Sequence, residues 1–439
     1  MRTLAFLLFI SISLHLRSQS VDAASLRLEV NGPYELFGTI PIGEKGVIFY
    51  NKKPGGPLHL EKYNTDLIKQ CDSDIIIPKG YYFADFTQSL RFLHFIFTNK
   101  KGEFIYYKIV LWDFKYQSIE NTFSKKTIIK DILATDKFVY ILTELKSTRT
   151  INQISLNTFS LLPVKLDSKE IKNSAVVKGE VIPSNNHVIF YGTSGGISNN
   201  TPTAFEFNEF GELAHTIVFA PGEHTRLENI KATSLGKGVM IFTGTYSCSE
   251  FPQGIFICKT AGGKTEFYKQ YPFQTFNCFA DLNKYLILNG SGKCKKEDLQ
   301  YDIQIITYPV VKTSANFLFE TDIQSPYIIS FSQDGNIAWN LKIDTEEDMH
   351  AFQNTSLLNV KEIGNSIHIL SCGNQNATLS ELNKEGEIIS GMKDAISDNC
   401  RTATTEFAGY WFKKSFLFTG YSDTSVEGKL FYLISKLSL

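Results

Sequence analysis

One apolar phrase returns along this chain at a nearly constant interval, and that interval restricts the folds open to it. The phrase is a short run rich in Val, Ile, Phe and Tyr, entered through Gly46, Arg91, Lys137, His187, Gly238, Lys284, Ser366 and Ser415. Successive starts lie 45 to 51 residues apart, apart from one gap of 82. A mixed strand precedes each run; a polar loop and two further strands joined by a tight turn follow it. A second marker keeps the same beat. The turns 208–212, 260–264, 332–336 and 383–387 carry Gly211, Gly263, Gly335 and Gly386 where a short hairpin loop needs a left-handed residue.

A four-strand unit repeated at one period without linkers predicts an all-β chain forming a single β-propeller. A radial array buries the faces of its sheets and leaves few strand edges open. The phrase count predicts eight four-stranded blades, with seven as the alternative closure. The last unit ends on its third strand, near 429–437, while Ser25–Val30 alternates Leu26, Leu28 and Val30 and is expected to supply the missing fourth strand. The long gap places an insertion at about 291–325, with a strand-like piece at 302–309. The bias toward β-formers, 35 Phe and 20 Tyr, agrees with very low helix content.

Residues 1–23 read as a signal peptide: Arg2, an apolar run from Leu4 to Leu16, and Val21-Asp22-Ala23 as the cleavage site, with Ser20 as an alternative cut. The run is too short for a hydrocarbon core of about 30 Å. No membrane span is therefore expected after cleavage, and the protein is expected to be exported, to the periplasm or the cell exterior, with 24–439 as one propeller domain. A formal charge of −1 with both signs dispersed argues against nucleic acid as a partner.

Seven cysteines follow the leader. In an exported chain the local pairings are Cys248–Cys258, Cys278–Cys294 and Cys372–Cys400, leaving Cys71 free; the other reading is that all are reduced, small apolar groups. No spacing suits a zinc or redox pair.

The segment Ile40–Lys53 with its G-E-K-G-V strand, followed by Leu58–Leu67 with an aromatic K-Y-N-T strand, resembles the opening of uncharacterised secreted proteins of Bacteroidota. The closing Gly409–Asp423 and Leu430–Leu437 resemble their last repeat. The resemblance implies a propeller-like fold and an envelope location, and it implies no activity.

Candidate sites are few. Ser332–Trp339 resembles the Asp-box turn of sialidase-like propellers, a structural element, but the arginine triad of a sialidase has no counterpart among Arg27, Arg91, Arg149, Arg226 and Arg401. Gly192, Gly244, Gly290, Gly373 and Gly420, with Gly195, Gly196 and Gly292, are expected to serve strand bends and bulges. Glu346, Glu347 and Asp348 read as a solvated charge run, and Asp394, Asp398 and Asp423 show no spacing from which a catalytic pair can be read. His94 and His368 sit within apolar strands and are expected to be hydrogen-bonded core groups; His59, His187, His215, His224 and His350 form no metal-ligand spacing. The sequons at Asn199, Asn289, Asn354 and Asn376 matter only in a eukaryotic pathway. No catalytic residue, cofactor site or metal site is named. The reading is a non-catalytic propeller binding an unknown protein or glycan through its loop face, with 291–325 as specificity element. The alternative is a glycan-acting hydrolase or lyase whose residues converge on the central channel from different blades.

Overall fold

The computed structural model describes residues 22–30, 34, 36–164, 166, 175–194, 201–222, 225–248, 253–276, 306–307, 311–312, 317–323, 325–342, 357–363, 366–372, 377–392, 402–413, 415–422 and 430–438. After β1 (Asp22–Val30), sheet I holds β2 (Leu36–Pro41), β3 (Val47–Lys52), β4 (Leu58–Tyr63) and β5 (Lys69–Ile75). Sheet II holds β6 (Tyr82–Gln88), β7 (Phe92–Thr98), β8 (Glu103–Val110) and β9 (Tyr116–Thr122). Sheet III holds β10 (Ile128–Ala134), β11 (Phe138–Leu145), β12 (Thr148–Ser155) and β13 (Leu161–Pro163). Sheet IV holds β14 (Ala175–Ile182), β15 (His187–Ser194), β16 (Thr201–Phe207) and β17 (Leu213–Val218). Sheet V holds β18 (Arg226–Gly236), β19 (Val239–Ser247), β20 (Gly254–Ala261) and β21 (Lys264–Pro272).

Sheet VI holds β22 (Ile306–Thr307) and β23 (Val311–Lys312), both paired with β24 (Phe317–Ile323), then β25 (Ser325–Phe331) and β26 (Ile337–Lys342). Sheet VII holds β27 (Leu357–Ile363), β28 (Ser366–Cys372), β29 (Ala377–Leu382) and β30 (Ile388–Met392). Sheet VIII runs β31 (Thr402–Phe412), β32 (Ser415–Ser422), β33 (Leu430–Ser438) and then β1, which pairs antiparallel with β33 from Asp22↔Ser438 to Val30↔Leu430. The ends of the described chain thus meet in one sheet, as the alternation of Leu26, Leu28 and Val30 predicts.

The fold is an all-β propeller of four-stranded antiparallel sheets in chain order, eight of them hydrogen-bonded among the described residues. Between neighbouring sheets lie apolar layers. Ile48 and Leu60 of sheet I meet Phe95 and Ile105 of sheet II; Val47 and Tyr63 of sheet I meet Trp411 and Leu417 of sheet VIII. The second strands of sheets I to V are buried on both faces, so they read as continuous apolar runs such as Phe92–Phe97. The stretch 291–325 contributes β22, β23 and β24 to sheet VI, while the predicted strand after Lys284 lies outside the described residues.

The marker turns join third to fourth strands, and each docks on the preceding sheet. A Cβ at Gly386 would lie 2.6 Å from the Trp339 ring, one at Gly335 2.5 Å from Phe267, and one at Gly263 2.5 Å from His215; one at Gly211 would meet Gln153. Side-chain donors complete the dock, Trp339 Nε1 to Lys384 O at 2.9 Å and Tyr271 Oη to Gly335 O at 2.6 Å. Sheet I uses the same turn, 64–68, without glycine, and sheets II and III use turns one residue longer, 110–115 and 155–160, also without it. Leu67 (φ 59°), Phe114 (φ 55°) and Phe159 (φ 54°) occupy the left-handed position, and their side chains pack toward the preceding sheet. The bulky group at a seam comes from one side or the other; where the platform is large, only glycine fits opposite it.

Candidate functional site

The first strand of each sheet pairs on one side only, so its other edge needs partners for its amides and carbonyls. In sheets II to V this strand carries a β-bulge at one register position, just ahead of Asp85, Asp131, Lys178 and Lys231. A bulge bends the strand and re-aims the next side chain. Opposite two of these bulges, on the second strands, sit Gly192 and Gly244, where an added Cβ would strike Ala175 O and, at 2.6 Å, Glu228 O. This supports the structural reading of those glycines; Gly195, Gly196, Gly290, Gly292 and Gly373 lie outside the described residues.

Two side chains, Glu180 of sheet IV and Arg149 of sheet III, bind the open edge of the following sheet. Asp85 accepts from the amide of its neighbour Phe86 at 2.8 Å, and Glu180 accepts from Ala232 at 2.6 Å and from the Tyr191 hydroxyl. Arg149 adds a bond from Nη1 to Val177 O at 2.6 Å. Burial, and next the Asp85 charge, pushes the Asp131 carboxyl up to about 6; burial also raises Asp85 and Glu180. Two cations answer them: Lys231 Nζ stands 3.6 Å from Glu180 Oε2, and Lys178, held below the usual lysine range by burial, lies over the Tyr191 ring at 5.4 Å. Sequence reasoning missed this set because each strand contributes one or two charged residues and the bulges leave no composition signal.

The entry ends of the same strands form a mouth. Tyr82, Ile128 and Val177 are 53, 55 and 57% exposed, unusual for large apolar groups at or before the bulges of three consecutive inner strands. Beside them the β11–β12 loop and the start of β14 enclose an open cleft of about 510 Å³ lined by Glu144, Ser147, Arg149 and Ala175–Val177. Glu144 fixes Arg149 Nε at 2.9 Å and faces Lys130, a bulge residue of β10, at 3.7 Å.

The histidines divide between core and network. His94 is fully buried, with Nδ1 2.7 Å from Tyr106 Oη and Nε2 3.1 Å from Ser89 Oγ, as expected of a core histidine. His187 and His215 both place Nδ1 against buried Glu206, at 2.6 and 2.9 Å. His59 bridges Asp74, at 2.7 Å, and Glu61, at 3.3 Å; Glu61 is drawn down to about 2 by His59, Lys69 and Tyr63. His368 stands 4.0 Å from Glu381. No group of three ligating side chains able to hold a metal occurs among the described residues. His224, His350, Glu346, Glu347, Asp348, Asp394, Asp398, Asp423 and the four sequons lie outside them.

The expected Cys248–Cys258 bridge is absent: both are free thiols, as is Cys71. Cys258 pairs with Phe242, whereas Cys248 lies six residues farther along that strand's path. Six residues span about 20 Å, far beyond the roughly 7 Å within which Cα atoms must lie for a disulfide. Burial pushes the Cys258 thiol up to about 12, so it is an inert core group. Cys278, Cys294 and Cys400 lie outside the described residues, which leaves their pairings, including that of Cys372 in β28, an expectation. No described helix is long and apolar enough to cross a membrane.

No family model and no curated protein matches the chain. Its backbone is similar to solved structures at low identity. The Dos1 propeller is 10% identical over 94% of this chain and 95% of that one, with a TM-score of 0.48. Sqt1 of Saccharomyces cerevisiae is 11% identical over 92% and 99%, with a TM-score of 0.47. The polysaccharide lyase Uly1 is 9% identical over 84% and 91%, with a TM-score of 0.45. At these identities the likeness concerns the fold alone.

Proposed function

We propose that this propeller is an exported binding module that holds an apolar segment of a protein partner over the channel mouth of sheets II to IV. The observation that carries the reading is the exposure of Tyr82, Ile128 and Val177 at the entry ends of three successive inner strands, beside the Arg149 cleft. Two of the three are aliphatic, which suits a protein side chain better than a sugar ring; a glycan site would offer aromatic platforms. Polar groups at the rim, Lys130, Glu144 and Arg149, supply orientation. Export rests on residues 1–23, and N-terminal sequencing of protein recovered from a bacterial periplasm or medium checks it. Because 291–325 contributes three strands to sheet VI, its place as a specificity element is tested by substitutions between the strands and not by deletion.

The test is selection of peptides displayed on phage against the wild type and the Ile128→Asp/Val177→Asp double variant. Apolar peptides are expected to bind the wild type and to lose at least about tenfold in affinity on the variant, the scale of one lost hot spot. Equal binding by both proteins, or binding of glycans alone, overturns the reading. A second reading, a glycan-acting hydrolase or lyase working in the channel, is favoured by one observation: Asp131 of sheet III is a half-buried carboxyl that burial and the charge of Asp85, on sheet II, push up to about 6. It requires turnover of a polysaccharide panel that Asp131→Asn abolishes.

A further inference from the structure

We propose that the Arg149 cleft reads one acidic side chain of the bound segment, so that the partner recognised at this mouth presents an Asp or Glu flanked by apolar residues. The proposal rests on the reading of the mouth as a peptide site and names the chemistry of its ligand. Three residues stand in one row across sheet III: Ile128 pairs with Glu144, and Glu144 pairs with Arg149. Residues directly opposite one another on antiparallel strands point to the same face. With strands about 4.8 Å apart, the exposed Ile128 and Arg149 therefore start about 10 Å from each other on one face. From there the guanidinium crosses to sheet IV and donates from Nη1 to Val177 O at 2.6 Å, at the residue that carries the second exposed aliphatic group.

The guanidinium is held in place without being used up. Nε serves Glu144 at 2.9 Å and Nη1 serves Val177 O; its remaining N–H groups have no partner among the described residues, and the side chain borders the open cleft. The β11–β12 loop that forms the facing wall is preformed. Lys146 and Ser147 both have positive φ, 48° and 68°, between the paired Leu145 and Thr148, the mark of a tight two-residue hairpin turn. Charge points to an anion as the occupant. Lys130 and Arg149 flank the single carboxylate of Glu144, at 3.7 and 2.9 Å, and the exposed Lys146 adds a further cation. A fixed guanidinium with free N–H groups suits a planar carboxylate better than any neutral acceptor. Position decides where that carboxylate comes from. The two bonds of Arg149 tie it to the neighbour of Ile128 on one side and to Val177 on the other, so it stands between the apolar contacts and not beyond them. The acid is then a side chain within the segment, with apolar neighbours on both sides, and not a chain terminus.

The experiment presents three displayed peptide libraries, alike in their random apolar flanks and differing in a central Glu, Gln or Lys, to the whole protein as wild type, Arg149→Met and Arg149→Lys. Glu-centred peptides are expected to bind the wild type at least about tenfold more tightly than their Gln counterparts. That preference is expected to vanish on Arg149→Met and to persist in part on Arg149→Lys, which keeps the charge and loses the fork. In the wild type alone, raising the ionic strength from about 0.05 to about 0.5 M is expected to erode the preference, a measurement that needs no variant to fold. Gln-centred peptides that bind as well as Glu-centred ones overturn the proposal and leave the mouth a peptide site; a Glu preference that survives Arg149→Met does the same. Failure of all three libraries to bind overturns the proposal together with the reading beneath it. An oligogalacturonate that binds the wild type and not Arg149→Met overturns the protein origin of the carboxylate.

Discussion

A histidine sealed in a β-sheet has to stay neutral, and His94 shows how that choice reaches stability. Its two nitrogens are engaged by Tyr106 and Ser89, and burial, with the nearby Lys108 charge, pushes it down to about 3. In the unfolded chain it titrates near 6.5, so below that pH the unfolded state binds a proton that the folded state refuses. The stability tied to neutral His94 is complete above about pH 6.5 and drains away as pH falls toward 3. His94→Gln is expected to cost about 1–3 kcal/mol at pH 7, through an imperfect hydrogen-bond match, and to flatten the acid limb of the urea midpoint between pH 6.5 and 4. An acid limb as steep as the wild type's excludes His94 as its source. Asp131, raised to about 6 by burial first and the Asp85 charge second, acts with opposite sign over the upper part of that window, so the two are separated by comparing variants, not by the wild-type curve alone.

Among the elements, the third-to-fourth turn explains most about how sheets are held in a ring. It places either glycine against a large platform or a large residue in the strained left-handed region. Non-glycine residues there cost on the order of 1 kcal/mol, which packing of Phe114 against sheets I and II outweighs. Gly386→Ala combines a disfavoured φ of 85° with a Cβ 2.6 Å from Trp339, and it is expected to destabilise by about 2–3 kcal/mol. Gly80→Ala has a similar φ of 90° and open space, so it isolates the backbone part, about 1 kcal/mol. Equal losses in urea unfolding of the two variants would show that the Trp339 contact contributes nothing. The inner strands give the complementary lesson: a bulge and one carboxylate convert an open edge into a joint with the next sheet.

For the molecule as a whole, closure depends on one strand from the far end of the sequence. β1 covers β33 through nine residue pairs, and Ala24, Leu26 and Leu28 pack on the layer containing Trp411 and Tyr432. Removing residues 24–30 leaves the outer edge of β33 bare and uncovers that layer. The expected outcome is a lower unfolding midpoint together with dimers or larger species on size exclusion, formed by edge pairing. A monomer with an unchanged midpoint would show that sheet VIII closes the ring with three strands. Because the contacts that complete this sheet are the most distant in sequence, they are also expected to form late in folding.

What the sequence determined alone was everything that repeats. Alternation, apolar runs and turn glycines are local and periodic, so the strand phrase, the propeller and the closing role of Leu26–Val30 were legible from residue type and spacing. The turns at Leu67, Phe114 and Phe159 escaped because the signal read was glycine, and these three carry the same φ under a bulky side chain. The Cys248–Cys258 expectation failed because proximity in sequence across a hairpin says nothing of register, and register put six residues between them. The channel set was decided by tertiary structure alone. Glu180 is an ordinary carboxylate in an ordinary strand until the ring brings the Ala232 amide of the next sheet within reach. A period fixes what each unit is; which side chains meet at the axis depends on how units are rotated against one another, and no single unit contains that information.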